Sequence, residues 1–438
     1  MDELCLEPDL WIPRTSPLDP IIQDARRFYG LPDDSPVVVT GHQPVPPHPG
    51  ILTKYIAAEA WASLHDALTV HLVIDTGLEP VACLDVPIGE PPAGIEVFMH
   101  TLADESSGPL MCRMPATPRS IAQVSSPASV VAGVSRLVQA WQQAPREDAA
   151  AQAWSVVQDV MSPWVVKAPV IFASQLIESP VGALWVEAMR SDACGCVDAY
   201  NRAARAFPEA RIALLAPGDD PELPLWVIDG TNRRPAYASD LSEQHRLVPR
   251  ALLTTAIVRS MVDLFVHGTG GMRYEQVMEA WLALWRPTLL APKVLATASC
   301  RLPLGDPSDF ALARQHALAA NRQAQHDPDA RGSGLSASKQ RLLEEVGRHD
   351  RGTPGRQAAY EALQAYVQDR RKAHQGSTID LEAIDRSTGI AARRDWPAVF
   401  YDLTVMDHLA QAIRDCFSAV STPHLSKSVQ PSHRPQCQ

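Results

Sequence analysis

The chain has 438 residues and a formal charge of −11, from 50 acidic and 39 basic side chains. Hydrophobic residues make up 46% and charged residues 20%, an ordinary globular composition that excludes wholesale disorder. The negative charge disfavours a nucleic-acid partner, and no apolar run approaches the roughly 18–20 residues of a membrane span. The acidic start differs from the basic-then-apolar pattern of a secretory signal, so we expect a cytoplasmic protein without membrane contact.

The first ninety residues predict a βαβ unit. After a short helix around 19–29, a β-branched run at 36–40 predicts a buried strand. A proline-rich loop follows, residues 51–68 have helical periodicity, and further strands are predicted at 69–75 and 80–88. A strand–loop–helix–strand order over about 40 residues is typical of a right-handed crossover, so we expect the first two strands to be parallel.

A second strand–loop–helix junction is predicted further along the chain. Residues 89–130 are rich in Pro, Ser and Gly and predict irregular structure. The elements predicted after them are helices at 130–143, 149–161, 180–207 and 251–261, strands at 222–229 and 263–267, a tight glycine turn at 268–271 and a helix at 273–285. The glycine turn therefore stands between a strand and a helix, as the proline-rich loop does.

Beyond residue 305 the sequence is rich in Ala, Gln, Arg and Glu. Helical patterns at 307–326 and 336–374, the second interrupted near 352–355, predict an antiparallel hairpin with a narrow apolar stripe. A stripe of this kind is thin for a core and suits a dimer seam, so we expect a homodimer through residues 306–375.

Four regions are predicted in all. They are a core at 1–305 with an insertion at about 89–210, the helical extension at 306–375, a strand (396–403) and helix (406–417) within 376–420 that pack on the core, and a disordered tail at 421–438. The fold class is α/β with a parallel sheet.

The loop after the first strand is the first candidate site. It carries Thr40, Gly41, His42, Gln43, His48 and Gly50. Ligands bind open α/β sheets at the carboxyl ends of the strands, where a helix N-terminus adds N–H groups and about half a positive charge. Two imidazoles here can bind an anion, as paired histidines of HIGH-superfamily nucleotidyl transferases hold ATP phosphates. The alternative is a proline-stiffened turn whose histidines make local hydrogen bonds.

The second candidate site is the glycine segment after the strand at 263–267. Gly268, Gly270 and Gly271 can bring backbone amides close to a ligand. The segment is neither a Walker loop nor a dinucleotide fingerprint, and its position at the end of a strand is what makes it a candidate. Two such strand–helix junctions on one parallel sheet line a single pocket, so we expect both segments to face one anion.

Two charged residues complete the candidate set. Asp75 ends the second strand and can hold a substrate hydroxyl or amine, or Mg²⁺ beside a nucleotide; the alternative is an ordinary turn-forming Asp. Arg250 precedes a helix and can clamp an anion, or can form a surface salt bridge.

The segments VVVTGHQP…HPGILTKY and LVPRALLTTAIVRSMVDLFVHGTGG resemble the bacillithiol biosynthesis cysteine-adding enzyme family. They are also similar to bacterial proteins with GHQP-x3-HPG and HGxGG motifs. The likeness covers 36–90 and 245–285, and the matching residues are Thr40, Gly41, Gln43, Tyr55, Gly270 and Gly271. It implies a Rossmann-like core of the HIGH-superfamily type, with insertions and a C-terminal helical extension resembling a coiled coil.

The resemblance also implies an activity, the condensation of an amino acid with a sugar conjugate. His42 stands where that family usually has Gln, and Ile74-Asp75-Thr76-Gly77 replaces its acidic Glu-Asp-His-Asp run. These departures indicate a different substrate.

The function predicted from these residues is that of a ligase or transferase that forms a C–N-type bond on a small metabolite, using ATP or another nucleotide with Mg²⁺. His42 and His48 would stabilise anionic oxygens, and Asp75 would orient the nucleophile or a metal. One alternative is a metal-dependent hydrolase with these three residues as ligands. Another is a non-catalytic, nucleotide-responsive scaffold that binds partners through its helices.

Overall fold

The computed structural model describes residues 2–7, 10–15, 18–120, 125–327, 329, 334–373 and 379–420. The strands are β1 (Glu3–Leu6), β2 (Val37–His42), β3 (Leu68–Val73), β4 (Cys83–Ile88), β5 (Glu96–Thr101), β6 (Ala103–Asp104), β7 (Thr117–Pro118), β8 (Val170–Phe172), β9 (Glu222–Asp229), β10 (Asn232–Tyr237), β11 (Arg246–Pro249), β12 (Leu264–His267) and β13 (Lys293–Ser299). The α-helices are α1 (Pro20–Phe28), α2 (Pro49–His65), α3 (Ala128–Gln143), α4 (Ala149–Met161), α5 (Pro180–Ser191), α6 (Ala193–Ala206), α7 (Ala251–Met261), α8 (Thr269–Trp285), α9 (Pro307–His326), α10 (Ala337–Gly347), α11 (Pro354–Ala373), α12 (Leu381–Ala391) and α13 (Leu403–Val420). Together they form a mixed α/β fold.

A six-stranded sheet, ordered β1–β13–β12–β2–β3–β8, is the centre of the fold. Its pairs are parallel except for β1, which runs antiparallel to β13 at one edge. In β2, Thr40 lies opposite Val266 on one side and His71 on the other. The carboxyl ends of β12, β2 and β3 therefore lie side by side. The predicted parallel βαβ unit is confirmed, and so is the prediction that the two strand–helix junctions share one sheet.

Helices cover both faces of this sheet, as buried parallel sheets require. Val38 packs into the core that includes α2, α3, α4 and α13, whereas Val37 and Val39 pack into the core formed with α1 and α5 to α8. All three valines are fully buried. Side chains alternate between the faces of a strand, so the β-branched run supplies both cores at once.

The range 89–210 is not one insertion, because β8 lies inside it and pairs with β3 in the central sheet. With only three residues, β8 is too short to show a strand pattern in the sequence. The predicted strand at 80–88 is β4, which pairs with β5 outside the central sheet. The predicted helix at 180–207 is two helices, α5 and α6, which meet at Asp192.

A separate antiparallel sheet, ordered β10–β9–β11, packs beside the central one. Its buried residues Leu223, Leu225 and Val227 belong to the same core as α6 and α7. We call it the small sheet. Its other face carries Trp226 and Ile228, which have the alternate positions along β9.

The helical region after residue 306 contains α9 to α12. The prediction of a helix at 307–326 is confirmed by α9, and the interruption predicted near 352–355 separates α10 from α11. These two helices share a small apolar cluster of Val346, Leu363 and Val367. Helix α12 packs against α9 and reaches the core, where Ser387 Oγ accepts from the N–H of Ile95 at 3.1 Å.

The strand predicted at 396–403 is wrong. Ala398–Phe400 form a single 3₁₀ turn, with Trp396 and Phe400 completely buried. The N–H of Ala398 donates to the carbonyl of Pro47 at 2.8 Å, so the segment docks on the loop between β2 and α2. Its apolar side chains are buried against several neighbouring segments, and its backbone pairs with none of the strands that the structure describes.

Helix α13 packs on α2, which agrees with the prediction that residues after 376 pack on the core. The tail predicted at 421–438 lies outside the described residues. None of the helices that the structure describes is both long and apolar enough to cross a membrane.

Candidate anion-binding site

Two strand–helix junctions meet at the carboxyl edge of the central sheet. β2 ends at His42 and α2 begins at Pro49, while β12 ends at His267 and α8 begins at Thr269. Because β2 and β12 are hydrogen-bonded neighbours, both helices begin at the same edge. We call this region, formed by residues 41–50, 267–271 and the side chain of Lys54, the edge crevice.

Lys54 lies buried between the two junctions, with 5% of its surface exposed. Its Nζ donates to the carbonyl of Gly41 at 2.8 Å, and its Cδ lies 3.5 Å from the position that a Cβ on Gly268 would occupy. Among the described residues no carboxylate pairs with it, whereas Lys293 pairs with Glu279. Burial lowers the pKa of Lys54 to about 8, so it is mostly charged at neutral pH but poorly solvated.

Lys54 is not among the residues predicted from the sequence, although a signal for it exists. It is the single charged residue in the first ten positions of α2, in the run PGILTKYIAA. That run is buried almost throughout. A lone lysine in an apolar helix predicts a buried charge, which natural proteins keep at functional sites more often than elsewhere.

The neutral rings of His42 and His48 in the edge crevice carry their protons on different nitrogens. Nδ1 of His48 accepts from the N–H of Gly50 at 3.1 Å, so the proton of the neutral ring is on Nε2, a donor. Nδ1 of His42 lies 3.1 Å from the carbonyl of Gln43, which can only accept, so Nε2 of His42 is an acceptor. This arrangement supports donation to an anion by His48 alone.

Both imidazoles are neutral at physiological pH. Burial, followed by the nearby charge of Lys54, lowers the pKa of His42 to about 3. Burial also lowers the pKa of His48, although Asp395 acts in the opposite direction. Positive charge at this junction therefore comes from Lys54.

His267 belongs to a closed network of charges beneath α8. Its Nε2 lies 2.8 Å from Oε1 of the fully buried Glu275, and the other oxygen of Glu275 pairs with Arg259. Nε of Arg259 also donates to the carbonyl of Ala291 at 2.8 Å. Burial lowers the pKa of His267, while Glu275 opposes that effect. Arg259 and Glu275 therefore balance each other's charge inside the protein.

The tight glycine turn predicted at 268–271 is wrong, because these residues open α8. Gly268 is the N-cap, and neither it nor Gly270 nor Gly271 has a positive φ. Gly271 is needed for space, since a Cβ there would lie 2.3 Å from Nδ1 of His267. Gly270 has open space around it. The first amides of α8 nevertheless lie at the edge crevice as candidate donors.

Gly41 and Gly50 permit close approaches that shape the edge crevice. A Cβ on Gly41 would lie 2.4 Å from the carbonyl oxygen of Leu72 on β3. A Cβ on Gly50 would lie 2.9 Å from the carbonyl oxygen of Ala298 on β13. Both distances are shorter than a side chain tolerates, so packing within the protein requires glycine at both positions.

Thr40 and Tyr55 are buried framework residues. Thr40 Oγ1 donates to the carbonyl of Val266 at 3.0 Å and joins β2 to β12. The ring of Tyr55 packs edge-on against His71, with centroids 4.9 Å apart, and burial raises the pKa of its phenol. Both side chains are buried, and the hydroxyl of Thr40 has its hydrogen-bond acceptor within the central sheet.

Asp75 already has a partner. Its carboxylate accepts from Ser174 N at 2.9 Å and Ser174 Oγ at 2.5 Å, which joins the chain after β3 to the chain after β8. Burial raises the pKa of Asp75 to about 6 despite these bonds. The side chain of Gln43 reaches the same stretch, with Nε2 3.9 Å from the position of a Cβ on Gly77.

Arg250 is the residue between β11 and α7, and its side chain contacts strand β9 of the small sheet. Its Nη2 pairs with Glu222 at 2.6 Å, and its Nε donates to the carbonyl of Leu225 at 3.0 Å. Its Cζ lies 3.8 Å from the ring centroid of Trp226. The alternative prediction, a salt bridge, is the contact that the structure contains.

The ligand atoms of His42, His48 and Asp75 do not all lie within 4.8 Å of one another. Within the described part of the chain, the group that reaches this spacing is Asp240, Glu243 and His245. There Arg234 binds both oxygens of Asp240, at 2.7 and 2.9 Å, and so occupies the carboxylate that a metal would need. Neither set of residues favours a protein-held metal ion.

No protein-family model matches this chain, and no curated protein matches it. The chemistry of the edge crevice therefore rests on its own geometry.

Proposed function

We propose that the edge crevice binds a phosphate or another oxyanion of a small-molecule substrate, with Lys54 as the cation that holds it. The observation that carries this proposal is the burial of Lys54 beside the Gly41 carbonyl, without a carboxylate partner among the described residues. An uncompensated buried ammonium gains most from an incoming anion. The N-termini of α2 and α8 add amide donors and favourable dipoles at the same place.

The histidines extend this proposal from binding to catalysis. Nε2–H of His48 can donate to an anionic oxygen, whereas the free Nε2 of His42 can accept a proton from an attacking O–H or N–H group. An anion bound at Lys54 raises the basicity of His42, because the charge of Lys54 is one of the causes that hold its pKa low. The site thus contains a cation, a donor and a proton acceptor.

This combination suits an enzyme that stabilises charge on a phosphoryl or acyl oxygen while a nucleophile attacks. We therefore propose a ligase or transferase of the C–N-forming class that uses ATP or another nucleotide, and the motif likeness to the bacillithiol cysteine-adding family supports the same class. The residues present fit phosphate groups. They do not fit a resident divalent cation, since Asp75 is engaged by Ser174, so Mg²⁺ would enter with the nucleotide.

Titration calorimetry with pyrophosphate and with ATP tests the proposal. Lys54→Met removes the ammonium and should weaken binding by about tenfold or more, the value of a charge-assisted hydrogen bond. Lys167→Met, at an exposed lysine, is the matched control and should bind as wild type does. Equal affinities for wild type and Lys54→Met would refute the proposal. Lys54-dependent binding without turnover of any nucleotide would favour the scaffold over the enzyme.

A further inference from the structure

The small sheet approaches the central sheet where β3 ends. Nη1 of Arg233, on β10, donates to the carbonyl of Thr76 at 2.5 Å. Thr76 lies four residues after Leu72, the β3 partner of Gly41. The distance from this contact to the Gly41 carbonyl that Lys54 binds is therefore at most about 18 Å, from about 13 Å of chain and one strand spacing of about 5 Å. A small metabolite can span that distance.

Arg233 and Arg246 form one row across the small sheet. Both lie directly opposite Ile228 of β9, one from each neighbouring strand. Side chains of directly opposite residues project from the same face of an antiparallel sheet. Their α-carbons are two strand spacings apart, roughly 10 Å, which is within reach of two long side chains that converge on one group.

These two arginines differ from their neighbours in charge pairing. Arg234 pairs with Asp240 and Arg250 pairs with Glu222, whereas Arg233 and Arg246 form no ion pair with any residue in the described ranges. Burial lowers the pKa of Arg233; the charge of Glu79 opposes this effect, and the charge of Arg250 adds to it. Arg233 therefore carries a partly desolvated charge, and its bond to Thr76 uses one of five donors.

The guanidinium groups of Arg233 and Arg250 both lie over the ring of Trp226. Its ring centroid lies 3.8 Å from Cζ of Arg250 and 4.3 Å from Cζ of Arg233. Stacking on an aromatic ring leaves the in-plane N–H groups of a guanidinium free to meet two oxygens side by side. Because Glu222 anchors Arg250, the ring has a fixed position against which Arg233 is oriented.

We infer that Arg233 and Arg246 form a second oxyanion site, which binds a carboxylate of the substrate while Lys54 holds the phosphate. This inference rests on the proposed function and deepens it, because it identifies the acceptor substrate as a carboxylic acid. Arg250 and Trp226 are positioning residues in this site. The two anionic groups would lie along the carboxyl edges of β2 and β3.

Calorimetric titration of citrate into protein saturated with pyrophosphate tests the second site by itself. Arg233→Gln and Arg246→Gln should each weaken citrate binding by about tenfold or more, and leave pyrophosphate binding within about twofold of wild type. Arg202→Gln, at an exposed arginine of α6, removes the same charge from the surface and should change neither titration. Arg233→Lys should recover part of the citrate affinity if charge is the main contribution.

The outcomes separate the two proposals. Citrate binding that both glutamine variants leave unchanged would overturn the second site, whatever pyrophosphate does. Citrate binding that depends on Arg233 and Arg246, with no pyrophosphate binding to wild type, would overturn the role of Lys54 and retain the second site. Displacement of citrate by inorganic phosphate at stoichiometric concentration would overturn the carboxylate assignment. If Arg233→Gln fails to fold, Arg246→Gln at its exposed position decides the question.

Discussion

The two strand–helix junctions of the edge crevice look alike in sequence and differ in charge. Each has a histidine as the last residue of a parallel strand, with glycines close to it in the sequence. At β12–α8 the histidine lies against a buried glutamate, and an arginine balances the charge of that glutamate within the protein. At β2–α2 the ammonium of Lys54 has a backbone carbonyl as its partner.

This difference indicates which junction acts on a ligand. A charge network that is complete in the absence of ligand stabilises the fold and gains nothing from an anion. A desolvated charge without a counterion lowers the stability of the free protein, and a bound anion reduces this loss. We therefore expect the β12–α8 junction to stabilise the site and the β2–α2 junction to bind the ligand.

The largest effect on stability should come from disrupting the charge network of the β12–α8 junction. Glu275→Ala removes a fully buried carboxylate, leaving His267 without its partner and Arg259 with reduced compensation. We expect the free energy of unfolding to fall by about 3–5 kcal/mol in urea denaturation. Glu279→Ala is the control, since that carboxylate is 40% exposed and should contribute far less. Equal losses for the two variants would show that the network does not stabilise the junction.

Removing the charge of Lys54 should increase the free energy of unfolding. Lys54→Met replaces a desolvated ammonium by an apolar side chain of similar length, so we expect a gain of about 1–3 kcal/mol in unfolding free energy at pH 7. Lys293→Met removes a lysine that is paired with Glu279, and this control should not stabilise. A loss of stability in Lys54→Met would mean that the ammonium is well compensated in the free protein.

The stability difference between wild type and Lys54→Met should also depend on pH. Burial lowers the pKa of Lys54 from 10.5 to about 8, so between these values the unfolded chain binds more protons than the native one. Native stability from this group therefore rises with pH across that window and is lowest below pH 8. We expect the advantage of Lys54→Met to shrink as the pH rises from 8 to 10.5, measured by urea denaturation at each pH. An advantage that stays constant over this range would contradict the buried-ammonium assignment.

The smallest changes in stability are expected for alanine substitutions of two glycines in α8, and they should have opposite signs. Gly271→Ala places a Cβ 2.3 Å from the His267 ring and should destabilise the protein by about 1–2 kcal/mol. Gly270→Ala enters open space in a helix, where alanine is favoured by about 0.5–1 kcal/mol over glycine. Thermal denaturation of both variants is sufficient to compare them. Similar shifts in the same direction would show that the His267 ring can move away from α8.

Local patterns predicted much of the fold. The β-branched run of β2, the helix after it and the next strand follow from periodicity alone. The shared sheet of the two junctions follows from their common strand-to-helix order. The strand predicted at 396–403 failed because an apolar run reports burial and does not distinguish a strand from a turn packed on several sides.

The candidate site was harder to predict, since its chemistry depends on contacts between distant residues. Ser174 engages Asp75 from 99 positions away, and no local pattern contains that contact. The opposite tautomers of His42 and His48 follow from backbone groups whose positions the sequence does not specify. Lys54 could have been found from its apolar surroundings.

The hydrogen bond from Ala398 to Pro47 has a consequence for the order of assembly. Strands β2 and β3 with helix α2 are adjacent in the sequence and can pair as soon as they leave the ribosome. The loop that carries His42 and His48 gains this backbone partner only when a segment about 350 residues later has been made. The histidine loop is consequently among the last parts of the molecule to be fixed during synthesis, so nascent chains that stop before residue 398 contain the strands of the site without its finished loop.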